Sequence, residues 1–204
     1  MKIAIVDYGM GNIRSIVSSL KFLGVEDILL TSSPLELQSA DKLILPGVGS
    51  FGRAINKIRE MELDRILTTL VLDDKQPILG ICLGMQLMGK YSHEDGKNAG
   101  LNFIDRGIER FEDENLQIPH VGFNQVTPYE HSRLFDGLVG HPDFYFTHSY
   151  RMVANSFGEN YSTCHYGSTF VASFEKENIA GVQFHPELSQ TNGLRLLRNF
   201  IEKF

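Results

Sequence analysis

One cysteine lies between two glycines at the point where a buried strand gives way to a helix. The segment is Gly80-Ile81-Cys82-Leu83-Gly84, which has the form of a nucleophile elbow with Cys in place of Ser. The glycines permit a tight turn that pushes the Cys82 side chain out over the sheet, with its sulfur at a helix N-terminus, where the partial positive charge favours a thiolate. The alternative is a buried cysteine that packs as a small apolar side chain. The flanking glycines favour the nucleophile.

A base and a carboxylate that could serve such a cysteine lie near the other end of the chain. His185 follows an apolar run that predicts a strand, and Pro186 fixes the backbone so that His185 and Glu187 can point to one side of a turn. On these residues alone, a surface histidine beside a solvated glutamate remains an alternative.

A glycine-rich turn supplies a third candidate. Pro46-Gly47-Val48-Gly49 ends an earlier predicted strand, and so is expected at the same carboxyl edge of the sheet as Cys82. Acyl transfer from an amide requires N–H donors aimed at the oxyanion, which such a turn can present. An ordinary strand-to-helix turn is the alternative.

The elements that must position these residues alternate between strands and helices. Short apolar runs predict buried strands at residues 2–7 and 77–81 and further strands at 27–31 and 42–45, with helices between the strands. From about Phe103 to Phe184 the segments are short and β-rich, and a final amphipathic helix follows the candidate cap Thr191. The expected fold is α/β, with a central, mostly parallel sheet flanked by helices on both faces and antiparallel edge strands.

Composition narrows the class of protein. The 204 residues predict a single domain spanning residues 1–204. The formal net charge is −6, without a basic stripe, and no apolar run is long enough to span a bilayer, so neither nucleic acid nor a membrane is an expected partner. With two cysteines and no secretory signal, the cytoplasm is the expected compartment.

The remaining histidines do not predict a metal site, and no cofactor is expected. Cys164 and His165 are adjacent in a predicted strand and so face opposite sides of the sheet. Metal-ligand spacing is absent from the other histidines, which are His93, His120, His131, His141 and His148.

Together, PGVG, GICLGMQ and FHPE resemble the class I, triad-type glutamine amidotransferases. More narrowly, the chain is similar from end to end to the family of glutaminase subunits of imidazole glycerol phosphate synthase. The segments that carry this narrower resemblance are IVDYGMGNIRS, PGVGSFG, IPHVGFNQV, YFTHSY and GVQFHPELSQTNGLRLLRNF.

The resemblance assigns a role to each candidate. It implies that Cys82 is the nucleophile, His185 the general acid and base, and Glu187 the carboxylate that orients His185. The oxyanion hole then maps to the backbone N–H groups of Leu83 and of the Val48–Gly49 peptide. The residues implied to hold L-glutamine are Gln86, His148, Ser149 and Tyr150.

The resemblance also implies a partner. In the family, ammonia passes to a (β/α)8-barrel synthase subunit in a heterodimer, which makes imidazole glycerol phosphate and an aminoimidazole carboxamide ribotide. The residues implied to face that barrel are Asn12, Phe123, Tyr145 and Leu188. Two of them depart from the family pattern, which usually has Trp at the position of Phe123 and Lys at the position of Leu188.

These departures leave the acceptor enzyme open. The same substitutions fit a glutaminase that serves a sugar amidotransferase, which converts an acetamido group to an amidino group during surface-polysaccharide synthesis. Two other functions also remain possible for this sequence: a free-standing cysteine hydrolase and a non-catalytic binding module of the same fold. The histidine-pathway glutaminase is the leading prediction.

Overall fold

The computed structural model describes residues 1–112, 116–154 and 160–204. The helices are α1 (Ile13–Phe22), α2 (Pro34–Gln38), α3 (Phe51–Glu60), α4 (Leu63–Thr68), α5 (Leu83–Leu87) and α6 (Gln190–Lys203). A π-helical segment (Thr69–Asp73) continues α4, and a 3-10 turn (Pro186–Leu188) precedes α6. None of the helices within these ranges combines the length and apolar character needed to cross a bilayer.

The strands fall into two sheets. The strands are β1 (Lys2–Val6), β2 (Asp27–Thr31), β3 (Lys42–Leu45), β4 (Ile78–Ile81), β5 (Tyr91–Ser92), β6 (Asn98–Ala99), β7 (Gly107–Arg110), β8 (His120–Thr127), β9 (Asp143–His148), β10 (Tyr150–Met152), β11 (Tyr161–Tyr166), β12 (Ser168–Lys176) and β13 (Ile179–Val182). The large sheet has the order β2-β1-β3-β4-β13-β12-β11-β8-β9, and the small one β10-β7-β5-β6.

The large sheet confirms the predicted fold class. Its strands pair in parallel from β2 to β13 and antiparallel from β13 to β9. Alternate residues of β1 face opposite layers of the core. Ala4 and Val6 pack on the side of α3 and α4, whereas Ile3 and Ile5 pack on the side of α1 and α6. Helices therefore cover both faces of the parallel part.

The register of the central strands sets up the site. Gly80 of β4 lies opposite Leu45 of β3 on one side and Gly181 of β13 on the other. The segments that follow these strands therefore emerge together at one edge of the sheet, where ligands of α/β proteins usually bind.

The predicted cap of the last helix is wrong. Helix α6 begins at Gln190, so Thr191 lies inside its first turn and Ser189 occupies the cap position. The Ser189 hydroxyl caps nothing, because it donates to the His185 carbonyl at 2.6 Å and accepts from the Tyr145 N–H at 2.9 Å. The 3-10 turn after His185 thus fixes where the helix starts.

Candidate active site

The elbow glycines are required by close packing. A Cβ atom on Gly84 would lie 1.8 Å from the Leu45 carbonyl oxygen, and one on Gly80 would lie 2.8 Å from the Met85 nitrogen. Between them, Cys82 adopts φ 52° and ψ −110°, a conformation that side chains rarely tolerate. The chain therefore has the sterically constrained turn that the sequence predicts.

The turn at Pro46-Gly47-Val48-Gly49 packs directly on this elbow. A Cβ on Gly47 would lie 2.8 Å from both the Gly84 nitrogen and the Leu83 Cβ. The buried Tyr8 hydroxyl donates to the Pro46 carbonyl at 2.7 Å, and burial, helped by the charge of Cys82, raises the pKa of Tyr8. Because the first N–H groups of a helix have no partner within it, the Leu83 N–H is available beside this turn.

His185 and Glu187 form a buried pair. The Nδ1 atom of His185 lies 2.8 Å from Oε1 of Glu187, and their side chains are 3% and 0% exposed. The Asn12 side-chain amide donates to the same carboxylate oxygen at 3.3 Å. A carboxylate only accepts, so Nδ1 carries a proton and Nε2 is the atom of His185 that can exchange a proton with Cys82.

The charge state of His185 depends on its burial and on its interactions with two neighbouring side chains. Burial lowers its pKa, but the interactions with Cys82 and with Glu187 outweigh burial and raise that pKa to about 10. Within the described part of the chain, Nε2 is buried and makes no well-aligned hydrogen bond. The imidazolium form of His185, beside the Cys82 sulfur, is therefore favoured at neutral pH.

Two glutamine side chains link the Cys82 sulfur to the backbone carbonyl of Tyr150. The Gln183 side chain donates to the Cys82 sulfur at 3.7 Å, and its Oε1 accepts from Gln86 at 2.9 Å. Gln86 Nε2 also donates to the Tyr150 carbonyl at 2.8 Å. Both hydrogens of the Gln86 amide are used in these bonds, so Oε1 is the atom that it can offer to a ligand.

These residues enclose a cavity of about 250 Å³. It lies just below the ~300–1,000 Å³ of sites for drug-sized ligands, so it suits a small metabolite. Its lining residues are Val48, Gly49, Cys82, Leu83, Gln86, Glu94, Pro119, Thr147, His148, Ser149, Tyr150 and His185. Every residue expected to form the oxyanion hole or to hold the substrate is therefore at one cavity, with Glu187 behind His185.

Sequence reasoning missed three residues of this site. Glu94 is the only carboxylate among the lining residues, it accepts from the Phe51 N–H at 2.9 Å, and burial raises its pKa. Glu94 belongs to none of the motifs. Thr147, whose carbonyl lies 3.9 Å from the Cys82 sulfur, lies within YFTHSY, but the motif assigns it no role. Gln183 did carry a signal, because it is a polar residue inside a buried apolar run.

The four residues expected to face a partner lie outside the cavity and close to the triad. Asn12 bonds Glu187, and the Tyr145 carbonyl accepts from the His185 N–H at 2.8 Å. The rings of Phe123 and Tyr145 are 5.6 Å apart. Phe123 is 51% exposed and Leu188 is 40% exposed, so an apolar surface adjoins the site.

The histidines and Cys164 show no metal-binding arrangement. Among the described residues, no group of three or more His, Cys, Asp or Glu side chains could hold a metal ion. Cys164 is buried and its neighbour His165 is exposed, as the alternation of a strand requires.

Known proteins are similar to this chain along almost its whole length. The family model "Glutamine amidotransferase class-I" matches residues 4–204. The "Imidazole glycerol phosphate synthase subunit HisH 2" of Vibrio vulnificus (strain YJ016) is 43% identical over 205 residues, covering 99% of this chain and 94% of that protein. The corresponding "HisH 1" of Campylobacter jejuni (strain RM1221) is 42% identical over 200 residues, covering 98% of each. A crystal structure described as a glutamine amidotransferase superimposes with a TM-score of 0.75 at 21% identity, over 98% of this chain and 97% of that chain, which shows a shared fold.

Proposed function

The chain belongs to the class-I glutamine amidotransferase family, and from that premise we propose that it is the glutaminase subunit of an imidazole glycerol phosphate synthase in histidine biosynthesis. Full-length identity to the HisH relatives supports the synthase assignment. The activity rests above all on the buried His185–Glu187 pair beside Cys82, at the cavity. We propose that residues 1–204 form one glutaminase domain.

Each step of the reaction follows from the residue types. The Cys82 thiolate attacks the side-chain amide carbon of glutamine, and the N–H groups of Leu83 and of the Val48–Gly49 peptide stabilise the oxyanion that forms. As the C–N bond breaks, His185 Nε2 gives its proton to the departing nitrogen, which leaves as ammonia. His185 then takes a proton from the water that attacks the thioester, which releases glutamate and returns Cys82 and His185 to their starting thiolate and imidazolium forms.

The cavity offers complementary groups for the rest of glutamine. We assign the α-ammonium group to Glu94, whose carboxylate is partly buried and forms no ion pair with another described residue. Gln86 presents Oε1 to the ligand, and His148, Ser149 and Tyr150 form the opposite wall. This assignment favours an amino acid over an unsubstituted amide.

Ammonia must reach an acceptor without becoming ammonium in bulk water, so a synthase subunit has to cover the site. We propose that the partner is a (β/α)8 barrel that seats on the surface around Asn12, Phe123, Tyr145 and Leu188. That surface adjoins the triad directly, through the hydrogen bond of Asn12 to Glu187 and that of the His185 N–H to the Tyr145 carbonyl.

A second candidate keeps the glutaminase and changes the acceptor. Its basis is the pair of exposed apolar side chains, Phe123 and Leu188, at positions where the family usually has Trp and Lys. An ion pair with a barrel carboxylate is then lost, which fits a glutaminase adapted to another synthase, such as a sugar amidotransferase.

Glutamate release from glutamine, measured with each candidate barrel present, tests both proposals. We expect turnover that is stimulated by the histidine-pathway barrel. Cys82→Ala and His185→Ala should remain folded by circular dichroism and lose at least about 10²-fold in turnover. Stimulation only by a sugar-pathway barrel would select the second candidate, and peptide cleavage without glutamate release would overturn both.

A further inference from the structure

His120 lies outside the cavity, yet buried hydrogen bonds join it to the cavity wall. His120 and His148 face each other across β8 and β9, with His120 Nδ1 3.2 Å from His148 Nε2. His148 Nδ1 in turn lies 2.8 Å from the Tyr150 carbonyl oxygen. Both imidazoles are buried, and burial lowers the pKa of His120 to about 4 and that of His148 to about 3, so both are neutral at pH 7.

The Tyr150 carbonyl fixes the direction of these bonds. A carbonyl oxygen only accepts, so Nδ1 of His148 carries the proton of that neutral ring, and Nε2 has a lone pair. The hydrogen between the two rings must then come from His120 Nδ1. His120 Nε2 is left as an acceptor.

Asn124 meets that requirement at the outer end. Its Oδ1 accepts from the Gln125 N–H at 2.8 Å, and its Nδ2 donates to the His165 carbonyl at 3.1 Å, which sets the orientation of the amide. The same Nδ2 lies 3.4 Å from His120 Nε2 and can give it the second hydrogen. Protonation of His120 Nε2 would set a donor against a donor, so Asn124 selects the same tautomer as Tyr150.

The His120 ring has little freedom to leave this chain of bonds. Its ring stacks on that of Tyr166 at 3.9 Å between centroids and on that of Phe146 at 4.9 Å. The donor at Nδ1 is thus held towards His148 by packing as well as by hydrogen bonding.

We propose that His120 is a positioning residue for glutamine binding, which fixes His148 in the Nδ1-protonated tautomer and so holds the Ser149–Tyr150 wall of the cavity. The inference rests on the proposed function, since it names what orders the substrate wall. It extends to the nucleophile, because the Tyr150 carbonyl also accepts from Gln86, whose partner Gln183 donates to the Cys82 sulfur.

Two substitutions at His120 separate hydrogen bonding from packing. His120→Phe keeps a flat ring between Tyr166 and Phe146 but removes the donor. His120→Asn loses the ring but places an amide nitrogen near the position of Nδ1, where it can donate to His148. A merely structural role predicts that Phe is the milder change, whereas a positioning role predicts that Asn is.

The test measures inactivation of the full chain by a diazo-ketone analogue of glutamine, with its saturation constant (KI) and limiting rate (kinact). For His120→Phe we expect KI to rise by about fivefold or more, as loss of one buried hydrogen bond implies, with kinact within about twofold of wild type. His120→Asn should restore most of the affinity. His131→Phe, which removes an exposed histidine, is the matched control and should change neither constant.

A second variant and a spectroscopic measurement distinguish a failure of the His120 proposal from misfolding and from a failure of the proposed function. Asn124→Asp replaces the donor facing His120 Nε2 by an acceptor, so it should also raise KI. In nitrogen-15 spectra of the wild-type imidazoles, His148 should be protonated at Nδ1, whether or not the chain is inactivated. Absence of inactivation in wild type would overturn the proposed function, whereas a His148 protonated at Nε2, or an unchanged KI in folded His120→Phe, would overturn the role of His120.

Discussion

Cys82 combines backbone strain with the sulfur that we propose as the nucleophile. Its φ of 52° and ψ of −110° lie in a region that costs a residue with a side chain about 1–3 kcal/mol. Neighbouring strands compensate, since the Cys82 N–H donates to the Val182 carbonyl at 2.8 Å. The strained turn places the sulfur at the cavity, within reach of Gln183 and of the Thr147 carbonyl.

The Glu187 carboxylate should contribute, together with Cys82, to the alkaline limit of activity. Burial lowers the pKa of His185, whereas Cys82 and Glu187 together raise it to about 10, so the imidazolium is present below that pH and is lost as pH rises through it. Glu187→Gln keeps an acceptor for Nδ1 but removes the charge. The alkaline limb of kcat/KM for glutamine should therefore move to lower pH.

The control for this shift is Glu94→Gln, which should raise KM and leave the alkaline limb in place. A Glu187→Gln enzyme whose alkaline limb matches wild type would show that Glu187 does not govern the charge of His185.

Single residues differ in how far the sequence predicts them. Cys82, His185 and Glu187 can be predicted from their neighbours in the sequence, which are the glycines that flank Cys82 and the proline between His185 and Glu187. Glu94 and His120 do not, because their partners Phe51 and His148 are distant in the chain and meet them only after folding.

At the level of elements, the junction of β4 with α5 depends on the absence of a side chain at Gly84. Gly84→Ala would place its Cβ 1.8 Å from the Leu45 carbonyl oxygen, which forces β3 away from the elbow. We expect a loss of about 1–3 kcal/mol in the free energy of unfolding, together with loss of glutaminase turnover. Denaturant titration and glutamate release measure the two effects.

Gly140→Ala is the comparison for that variant. Its Cβ would meet nothing within 4 Å, and its φ of 67° costs only about 1–2 kcal/mol in a residue with a side chain. Turnover should survive in Gly140→Ala. Full turnover in Gly84→Ala would contradict the steric account of the elbow.

The pairing of β8 with β9 should weaken in acid. His120 and His148 have folded-state pKa values of about 4 and about 3, below the ordinary value of 6.5. Between each of these values and pH 6.5, the unfolded chain therefore binds more protons than the folded chain. Their contribution to stability is present above pH 6.5 and is lost as pH falls, by up to about 1.4 kcal/mol per pH unit for each histidine. Unfolding titrations at several pH values should show a smaller slope for His120→Phe, and an equal slope would contradict this assignment.

The elements themselves were predictable where the apolar pattern is long. The parallel strands follow from short apolar runs and helix α1 from an apolar stripe at helical spacing, and the predicted strands at 27–31 and 42–45 coincide with β2 and β3. The small sheet was not predicted, because β5 and β6 are two residues each and leave no alternation to read. The start of α6 was misplaced because tertiary bonds of Ser189, rather than a local cap, determine it.

For the whole molecule, we propose that the surface beside the triad determines which synthase receives the ammonia. Leu188→Lys restores the residue usual in the family, so it should tighten binding to a histidine-pathway barrel by about tenfold if a carboxylate faces it, close to 1.4 kcal/mol. Calorimetric titration measures the change. Leu35→Lys, at a leucine that is 78% exposed on α2, is the control and should leave Kd unchanged. An unchanged or weaker Kd for Leu188→Lys would mean that the partner face has diverged more broadly.

The central claim is that Cys82 attacks glutamine, and covalent trapping tests it most directly. The chain, together with its synthase partner, is treated with the diazo-ketone glutamine analogue and mapped by mass spectrometry. We predict one adduct per chain, on Cys82, with slower formation in excess glutamine, no adduct in Cys82→Ala and none on the buried Cys164. A folded wild-type complex that gains no adduct, or a Cys82→Ala chain that gains it equally, would contradict the account.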